Sequence, residues 1–147
     1  MKISEYIRDG RSPIPKDITT SRVMRANKGK HTSPEIKLRA GLRAIGLSDY
    51  RLHSKNLPGR PDVVFPKQKL AVFVNGCFWH RCPYCKLDVP KTHSKFWGDK
   101  FKNNIARDKR NVRALKKLGW KVSTVWECRL KKSNVKVAQR IAQLYHA

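Results

Sequence analysis

Residues 62–74 read DVVFPKQKLAVFV, and this stretch decides the fold prediction. Its two apolar runs, DVVF at 62–65 and LAVFV at 70–74, are rich in the β-branched and aromatic residues typical of strands. The four residues between the runs, PKQK, have the proline-containing, polar composition of a turn. A β-hairpin is the simplest interpretation of the whole stretch.

Helical patterns and a third strand surround this hairpin. Upstream, Thr32 or Ser33 suits an N-cap, Pro34 and Glu35 suit a first helical turn, and Gly46 suits a helix end. The full set of predicted elements is a short helix at 18–26, a helix at 33–45, strands at 62–65 and 70–74, a helix at 94–118, a strand at 120–128 and a helix at 134–145. This order predicts an α/β fold, in which a mixed sheet carries helices on its faces.

Length and composition indicate a single domain. At 147 residues the chain can bury one core but is short for two. Residues 1–20 place Pro13 and Pro15 among charged side chains, which predicts a flexible N-terminal arm. The domain is then expected to cover residues 21–147.

The charge of the chain points to an anionic partner. Lys and Arg total 34 against 10 Asp and Glu, a formal net charge of +24. A compact domain this positive repels itself unless an anionic molecule lies against it, so nucleic acid is the expected partner. The sequence shows no apolar run of membrane-spanning length and no apolar centre of a secretory signal, so we expect a cytoplasmic, nucleoid-associated protein.

Cysteines are concentrated after the second hairpin strand, in GCFWHRCPYC at 76–85. Cys77, Cys82 and Cys85 have the spacing C-x4-C-x2-C, and Cys128 is expected at the end of the last strand. Four thiolates can close a tetrahedral zinc site that is structural, because no position remains for water. The alternative is a set of inert buried thiols. His80 could replace one thiolate, but four cysteines already fill the coordination sphere and leave His80 for chemistry.

A carboxylate at a strand start is the candidate for catalysis. Asp62 follows the turn PGRP, and its side chain would project from the rigid edge of a sheet. Metal-assisted phosphodiester hydrolysis needs such a hard oxygen ligand for Mg²⁺. The next strand delivers the backbone of Val74, His80 follows that strand as a possible general base, and Glu35 could reach the same point. The alternative is an ordinary turn residue. Asp99, Asp108 and Glu127 are weaker candidates, and Asp108 is expected to be a buried hydrogen-bonding residue.

Aromatic side chains stand among the cysteines and in the following helix. Phe78 and Trp79 would be exposed in a metal-held loop, where they could stack on or wedge between bases, or they could instead cover the metal or the sheet. Trp97, Lys100, Asn104 and Arg107 share one stripe of the predicted helix. That stripe suits reading of a DNA groove, although a solvated charged face is the alternative.

The assembled motifs resemble the very-short-patch-repair (Vsr) mismatch endonucleases. The resemblance covers residues 21–130 and rests on LPGRPDVVF, VFVNGCFWH, FW, NNIARD and GWKVSTVWEC in the family's order. It implies a restriction-endonuclease-like fold of the PD-(D/E)XK type. It also implies an enzyme that nicks DNA on the 5′ side of the T in a T:G mispair, with double-stranded DNA as its partner, Mg²⁺ as the catalytic cofactor and Zn²⁺ as a structural one.

The same resemblance assigns roles residue by residue. Asp62 and the main-chain carbonyl of Val74 would hold Mg²⁺, His80 would be the general base, and Glu35 would place metal-bound water. The residues implied to contact DNA are Phe78, Trp79 and Trp97 as intercalating rings, with Met24, Lys100 and Asn104 at the mispair. The implied zinc ligands are Cys77, Cys82, Cys85 and Cys128.

Two departures from the family pattern stand out. Asn75 occupies a position where some members have histidine, which removes a second imidazole near the scissile phosphate. The zinc loop is all cysteine, whereas some members mix histidine and cysteine. Two alternative functions stay open: a nuclease of the same fold that cuts fully paired DNA, as in restriction or transposition, and a zinc-stabilised DNA-binding module without catalysis.

Overall fold

The computed structural model describes residues 32–147, so the N-terminal arm, the predicted helix at 18–26 and Met24 lie outside the described residues. The elements in chain order are α1 (Ser33–Ala44), β1 (Arg51–Leu52), β2 (Val63–Phe65), β3 (Leu70–Asn75), α2 (Cys77–His80), α3 (Ser94–Lys117), β4 (Lys121–Trp126), α4 (Glu127–Lys132) and α5 (Asn134–Tyr145). Within this part of the chain, no helix has the length and apolar character needed to cross a membrane.

The four strands form one mixed sheet in the order β1-β2-β3-β4. The predicted hairpin is confirmed, because β2 and β3 pair antiparallel with Val64 opposite Ala71. Strand β4 joins the other edge of β3 in parallel, with Leu70 opposite Lys121 and Asn75 opposite Trp126. A parallel neighbour needs a crossover connection, and the long helix α3 supplies it.

Side chains of the sheet alternate between two packed faces, as the two-residue period of a strand requires. On one face Val63, Phe65, Leu70 and Val72 pack with the apolar sides of α1 and α5. On the other face Val64 and Ala71 pack with Leu115 of α3. The α/β prediction is therefore confirmed as a four-stranded mixed sheet with helices on both faces.

The structure differs from the sequence prediction at three places. The two-residue strand β1 was not expected, and it is too short and exposed to leave an alternating pattern. The cysteine segment, expected as a loop, opens with the single helical turn α2. The last strand was expected to reach residue 128 but ends at Trp126, because its partner β3 ends at Asn75 and offers no further hydrogen bonds. Glu127 and Cys128 therefore begin α4.

Helices α1 and α5 approach each other closely at a glycine. A Cβ atom placed on Gly41 would lie 2.6 Å from the backbone oxygen of Asn134. The Asn134 side chain also donates to the carbonyl of Lys37, with a nitrogen–oxygen distance of 3.0 Å, so the start of α5 is fixed against α1. Because the obstructing atom belongs to the backbone, a side chain at position 41 would push the two helices apart.

We predict that Gly41→Ala destabilises the domain by about 1–3 kcal/mol, the usual effect of overpacking. The matched control is Gly98→Ala in α3, where nothing lies within 4 Å of the added Cβ. That control should be neutral or more stable by up to about 1 kcal/mol, since alanine is the better helix former. Urea unfolding of both variants measures the difference, and equal stabilities would contradict the close approach of α1 and α5.

Candidate active site

An open cleft of about 1050 Å³ lies where β3 ends, between the first turn of α1 and the middle of α3. Its walls include Glu35, Asp62, Val74, His80 and Asp108. Parallel strands β3 and β4 both end at this side of the sheet, which is where α/β sheets commonly bind their ligands. Several of the sequence-predicted residues are thus gathered on one surface.

Asp62 directly precedes β2 and is held against β3 by two hydrogen bonds. Its backbone N–H donates to the Val72 carbonyl at 3.0 Å, and its Oδ2 atom accepts from the backbone N–H of Val74 at 2.7 Å. Burial raises the pKa of this carboxyl to about 6, helped by the negative charge of Glu35, while the Val74 hydrogen bond and the histidines at 53 and 80 act against the rise. A cation would offset the same unfavourable burial of charge.

Glu35 is buried in the first turn of α1, only 3% exposed. The turn begins there because the Thr32 hydroxyl accepts from the Glu35 N–H and Pro34 starts the helix without needing its own N–H. The carboxylate Oε2 lies 2.8 Å from Nε2 of His53. Ligand atoms of Glu35, His53 and Asp62 all lie within 4.8 Å of one another.

His53 was not found by sequence reasoning. It follows the two-residue strand β1 and belongs to no motif, and a lone histidine beside a turn carries no distinguishing signal. The register of β1 against β2, with Leu52 opposite Val63, brings it next to Asp62.

His80 pairs with Asp108 across the cleft. Its Nδ1 atom lies 2.6 Å from Oδ2 of Asp108, and both side chains are about a quarter exposed. With the carboxylate accepting from Nδ1–H, the other ring nitrogen, Nε2, becomes the proton acceptor. Asp108 is thus a hydrogen-bonding residue, as expected, although it is half-buried rather than fully buried. The sequence did not predict the pairing of His80 with Asp108, because the two residues are 28 positions apart in the chain.

The four cysteines meet at the other end of the α2 turn. Their Sγ atoms all lie within 4.8 Å of one another, and those of Cys82 and Cys128 are 3.7 Å apart. Zinc–sulfur bonds of about 2.3 Å in a tetrahedron place the sulfurs about 3.8 Å apart, so the arrangement fits a metal of this kind. Cys128 reaches the site from the first turn of α4, not from a strand end.

Backbone donors support a thiolate in this cluster. Burial raises the pKa of Cys82, but hydrogen bonds from the backbone N–H groups of Tyr84 and Cys85, together with those from the Cys128 and Cys85 thiols, leave the pKa below its ordinary value. The Tyr84 nitrogen lies 3.4 Å from Cys82 Sγ. Such N–H donors favour the charged sulfur that metal binding requires.

The aromatic residues form one cluster beside the cleft. The ring centroid of Phe78 lies 5.0 Å from that of Trp79, 5.6 Å from Trp97 and 5.2 Å from Phe101. Phe101 is buried, and the other three rings are half-buried. Of the two alternatives left open by the sequence, exposed rings or covering rings, the structure lies between them. The rings are partly covered because Phe78 packs edge-on against its three neighbours and Trp97 stacks on Phe101.

The residues predicted to share one stripe of α3 differ in their exposure to solvent. Arg107 is exposed at the cleft and Lys100 is half-buried. Asn104 is buried, and its amide donates to the Trp79 carbonyl at 3.0 Å. One helical turn further, Asp108 holds His80, so α3 supports the α2 turn at two points. Asn104 thus supports the loop that carries the rings.

Much of this sequence is shared with known proteins. A family model described as DNA mismatch endonuclease Vsr matches residues 15–86. The type II nicking enzyme V.XorIIP of Xanthomonas oryzae pv. oryzae is 44% identical over 109 residues, covering 74% of this chain and 79% of that protein. The DNA mismatch endonuclease Vsr of Escherichia coli is 40% identical over 113 residues, covering 77% of this chain and 72% of that protein.

For the cysteine cluster, we predict that Cys82→Ser loses bound zinc and lowers Tm by about 10 °C or more, because loss of a structural metal is among the largest single-residue effects. Zinc content by elemental analysis and thermal unfolding measure the two outcomes. His80→Ala is the control, since His80 pairs with Asp108 and should leave the zinc in place. Zinc loss in the control would make His80 a ligand, and full zinc in Cys82→Ser would contradict the four-cysteine site.

For the buried carboxyl, we predict that Asp62→Asn raises Tm at pH 8 without added Mg²⁺. Because the pKa is about 6 in the folded protein against 3.8 ordinarily, the carboxyl favours folding below about pH 4, and that contribution is lost as pH rises through 6. Asparagine does not ionise, so the gap between variant and wild type should close towards pH 4. A gap of equal size at both pH values would mean that the substitution acts through packing.

Proposed function

Because the chain belongs to the Vsr family of DNA mismatch endonucleases, we propose that it is a Mg²⁺-dependent enzyme that nicks duplex DNA on the 5′ side of the T in a T:G mispair. DNA endonuclease activity follows from family membership. The mispair, the metal and the residue roles are our proposal. We also assign the sheet to the restriction-endonuclease-like fold class.

The observation that carries the proposal is the arrangement around Asp62. Val72 O and Val74 N both face the β2 side of β3, since the first accepts from the Asp62 backbone and the second donates to its side chain. The N–H and C=O of one strand residue point to the same side, so the Val74 carbonyl is directed towards Asp62. A carboxylate, a main-chain carbonyl and a nearby glutamate supply the oxygen atoms that Mg²⁺ prefers.

A bound Mg²⁺ would polarise the scissile phosphate and stabilise the charge that develops on it. The chain's own residues set up the rest. His80, held through Nδ1 by Asp108, presents Nε2 as the base that removes a proton from the attacking water. Glu35 is fixed in the first turn of α1, lines the same cleft and would orient that water.

The aromatic cluster supports recognition of a mispair. Phe78 and Trp79 line the same cleft as Asp62, so a ring that enters the duplex would place the neighbouring phosphate near the carboxylate. Wedging between bases costs a few kcal/mol of unstacking, and a mispaired step has already lost part of that stability. Because the rings are packed on one another and on α3, little ordering is required when DNA binds.

Phosphate contacts would come from the basic surface. The whole chain has a formal net charge of +24, and the exposed side chains of Arg60 and Arg107 line the cleft together with Asp62 and Glu35. These cations would neutralise DNA phosphates and orient the duplex without reading sequence. Binding should consequently weaken steeply as salt is raised.

We predict that, in Mg²⁺, the protein nicks a labelled duplex with one T:G pair at the phosphate 5′ of the T, and cuts the T:A duplex far more slowly. Asp62→Ala should abolish nicking while retaining DNA binding in a gel-shift assay, because the basic residues of the cleft are unchanged. Asp49→Ala is the matched control: that carboxylate bonds Tyr145 and lies outside the cleft.

The outcomes separate the alternatives. Equal cutting of both duplexes would favour a nuclease of the same fold that acts on paired DNA. Nicking that survives Asp62→Ala would remove Asp62 from the chemistry. Binding of either duplex without any nick in wild type would contradict catalysis by this site.

A further inference from the structure

We infer that His53 is a direct ligand of the catalytic metal, so that the site is a mixed carboxylate–imidazole set with a preference for Mn²⁺ over Mg²⁺. This inference rests on the proposed metal site at Asp62 and adds to it a ligand that no motif in the sequence identifies. It also changes the expected metal chemistry, because imidazole nitrogen is a softer donor than the oxygens around it.

The distances suit a shared cation. Ligand atoms of Glu35, His53 and Asp62 lie within 4.8 Å of one another. In octahedral coordination with bonds of about 2.1 Å, adjacent ligand atoms are about 3.0 Å apart and opposite ones about 4.2 Å. The 2.8 Å between His53 Nε2 and Glu35 Oε2 matches an adjacent pair. A metal could replace the hydrogen bond between them with little movement of either side chain.

The backbone fixes His53 at this place. Its N–H donates to the carbonyl of Asp62 at 3.1 Å, which extends the β1–β2 ladder by one bond and couples the two residues directly. His53 also has a φ of 49°, in the left-handed region that non-glycine residues seldom adopt. Such backbone conformations cost free energy and gather at ligand sites, where the surrounding structure maintains them.

The charges of these three side chains favour the binding of a cation among them. Glu35 is 3% exposed and lies beside the half-buried Asp62, so two carboxylates share a poorly solvated wall. A divalent ion bound by both would offset their repulsion, and a neutral imidazole would complete the set without adding charge. Mn²⁺ accepts this mixed set more readily than Mg²⁺, which favours oxygen ligands and retains its waters.

The competing role for His53 is that of a hydrogen-bond partner that only positions Glu35. His53→Gln separates the two roles, because glutamine can still donate to Glu35 but is a poor metal ligand. Wild type, His53→Gln and Asp62→Ala are compared as zinc-loaded full-length protein, which keeps the cysteine site filled. His146→Gln, an exposed histidine near the C-terminus, is the matched control.

The experiment measures Mn²⁺ binding by electron paramagnetic resonance, and Mg²⁺ binding by its competition with Mn²⁺. Wild type should show hyperfine coupling between bound Mn²⁺ and an imidazole nitrogen, and His53→Gln should lose it. The Mn²⁺ dissociation constant should rise about tenfold or more in His53→Gln, while that of Mg²⁺ changes by less than about threefold. His146→Gln should behave as wild type.

Each contrary outcome has a distinct meaning. If wild type shows no nitrogen coupling, or the coupling persists in His53→Gln, while Asp62→Ala still abolishes Mn²⁺ binding, His53 is not a ligand and the proposed function stands. If Mn²⁺ binds Asp62→Ala as tightly as wild type, the metal site of the proposed function is itself wrong, and this inference fails with it.

Discussion

The parallel pairing of β3 with β4 is the interaction on which the rest of this structure depends. It sets Asn75 opposite Trp126, so the residues that follow the two strands emerge side by side. Cys77, the first residue of α2, therefore lies close to Cys128, the second residue of α4. The Cys77 N–H points to the Glu127 carboxylate at 3.5 Å. The cysteine cluster and one wall of the cleft both originate from this common strand end.

The short segment that follows β3 carries three kinds of side chain, and each kind has different contacts. In the α2 turn and the residues after it, the thiols lie in the four-cysteine cluster, the rings pack on α3, and His80 pairs with Asp108. Asn104 and Asp108, one helical turn apart on α3, hold the segment from the opposite side. A metal bound by these four cysteines would make the segment rigid without an open coordination position, so the reactive groups would lie outside the metal site.

The local elements could be predicted because their causes are local. The hairpin follows from two apolar runs and a turn. Helix α1 begins at Ser33 because the Thr32 side chain caps it and Pro34 suits its first turn. The limits of α5 were expected at 134–145 and are found there. Strand β4 was extended two residues too far, because the length of a strand is set by its partner and not by its own composition.

The sequence by itself determined the types of chemistry: a strongly basic chain, thiols at metal-binding spacing, rings among them and a carboxylate at a strand start. Only the tertiary structure decided which groups meet. His53 reaches Glu35 across 18 residues of sequence, and His80 reaches Asp108 across 28. Side-chain type and spacing specify local conformation, whereas these distances depend on sheet register and on helix packing against the sheet, which are properties of the folded chain as a whole.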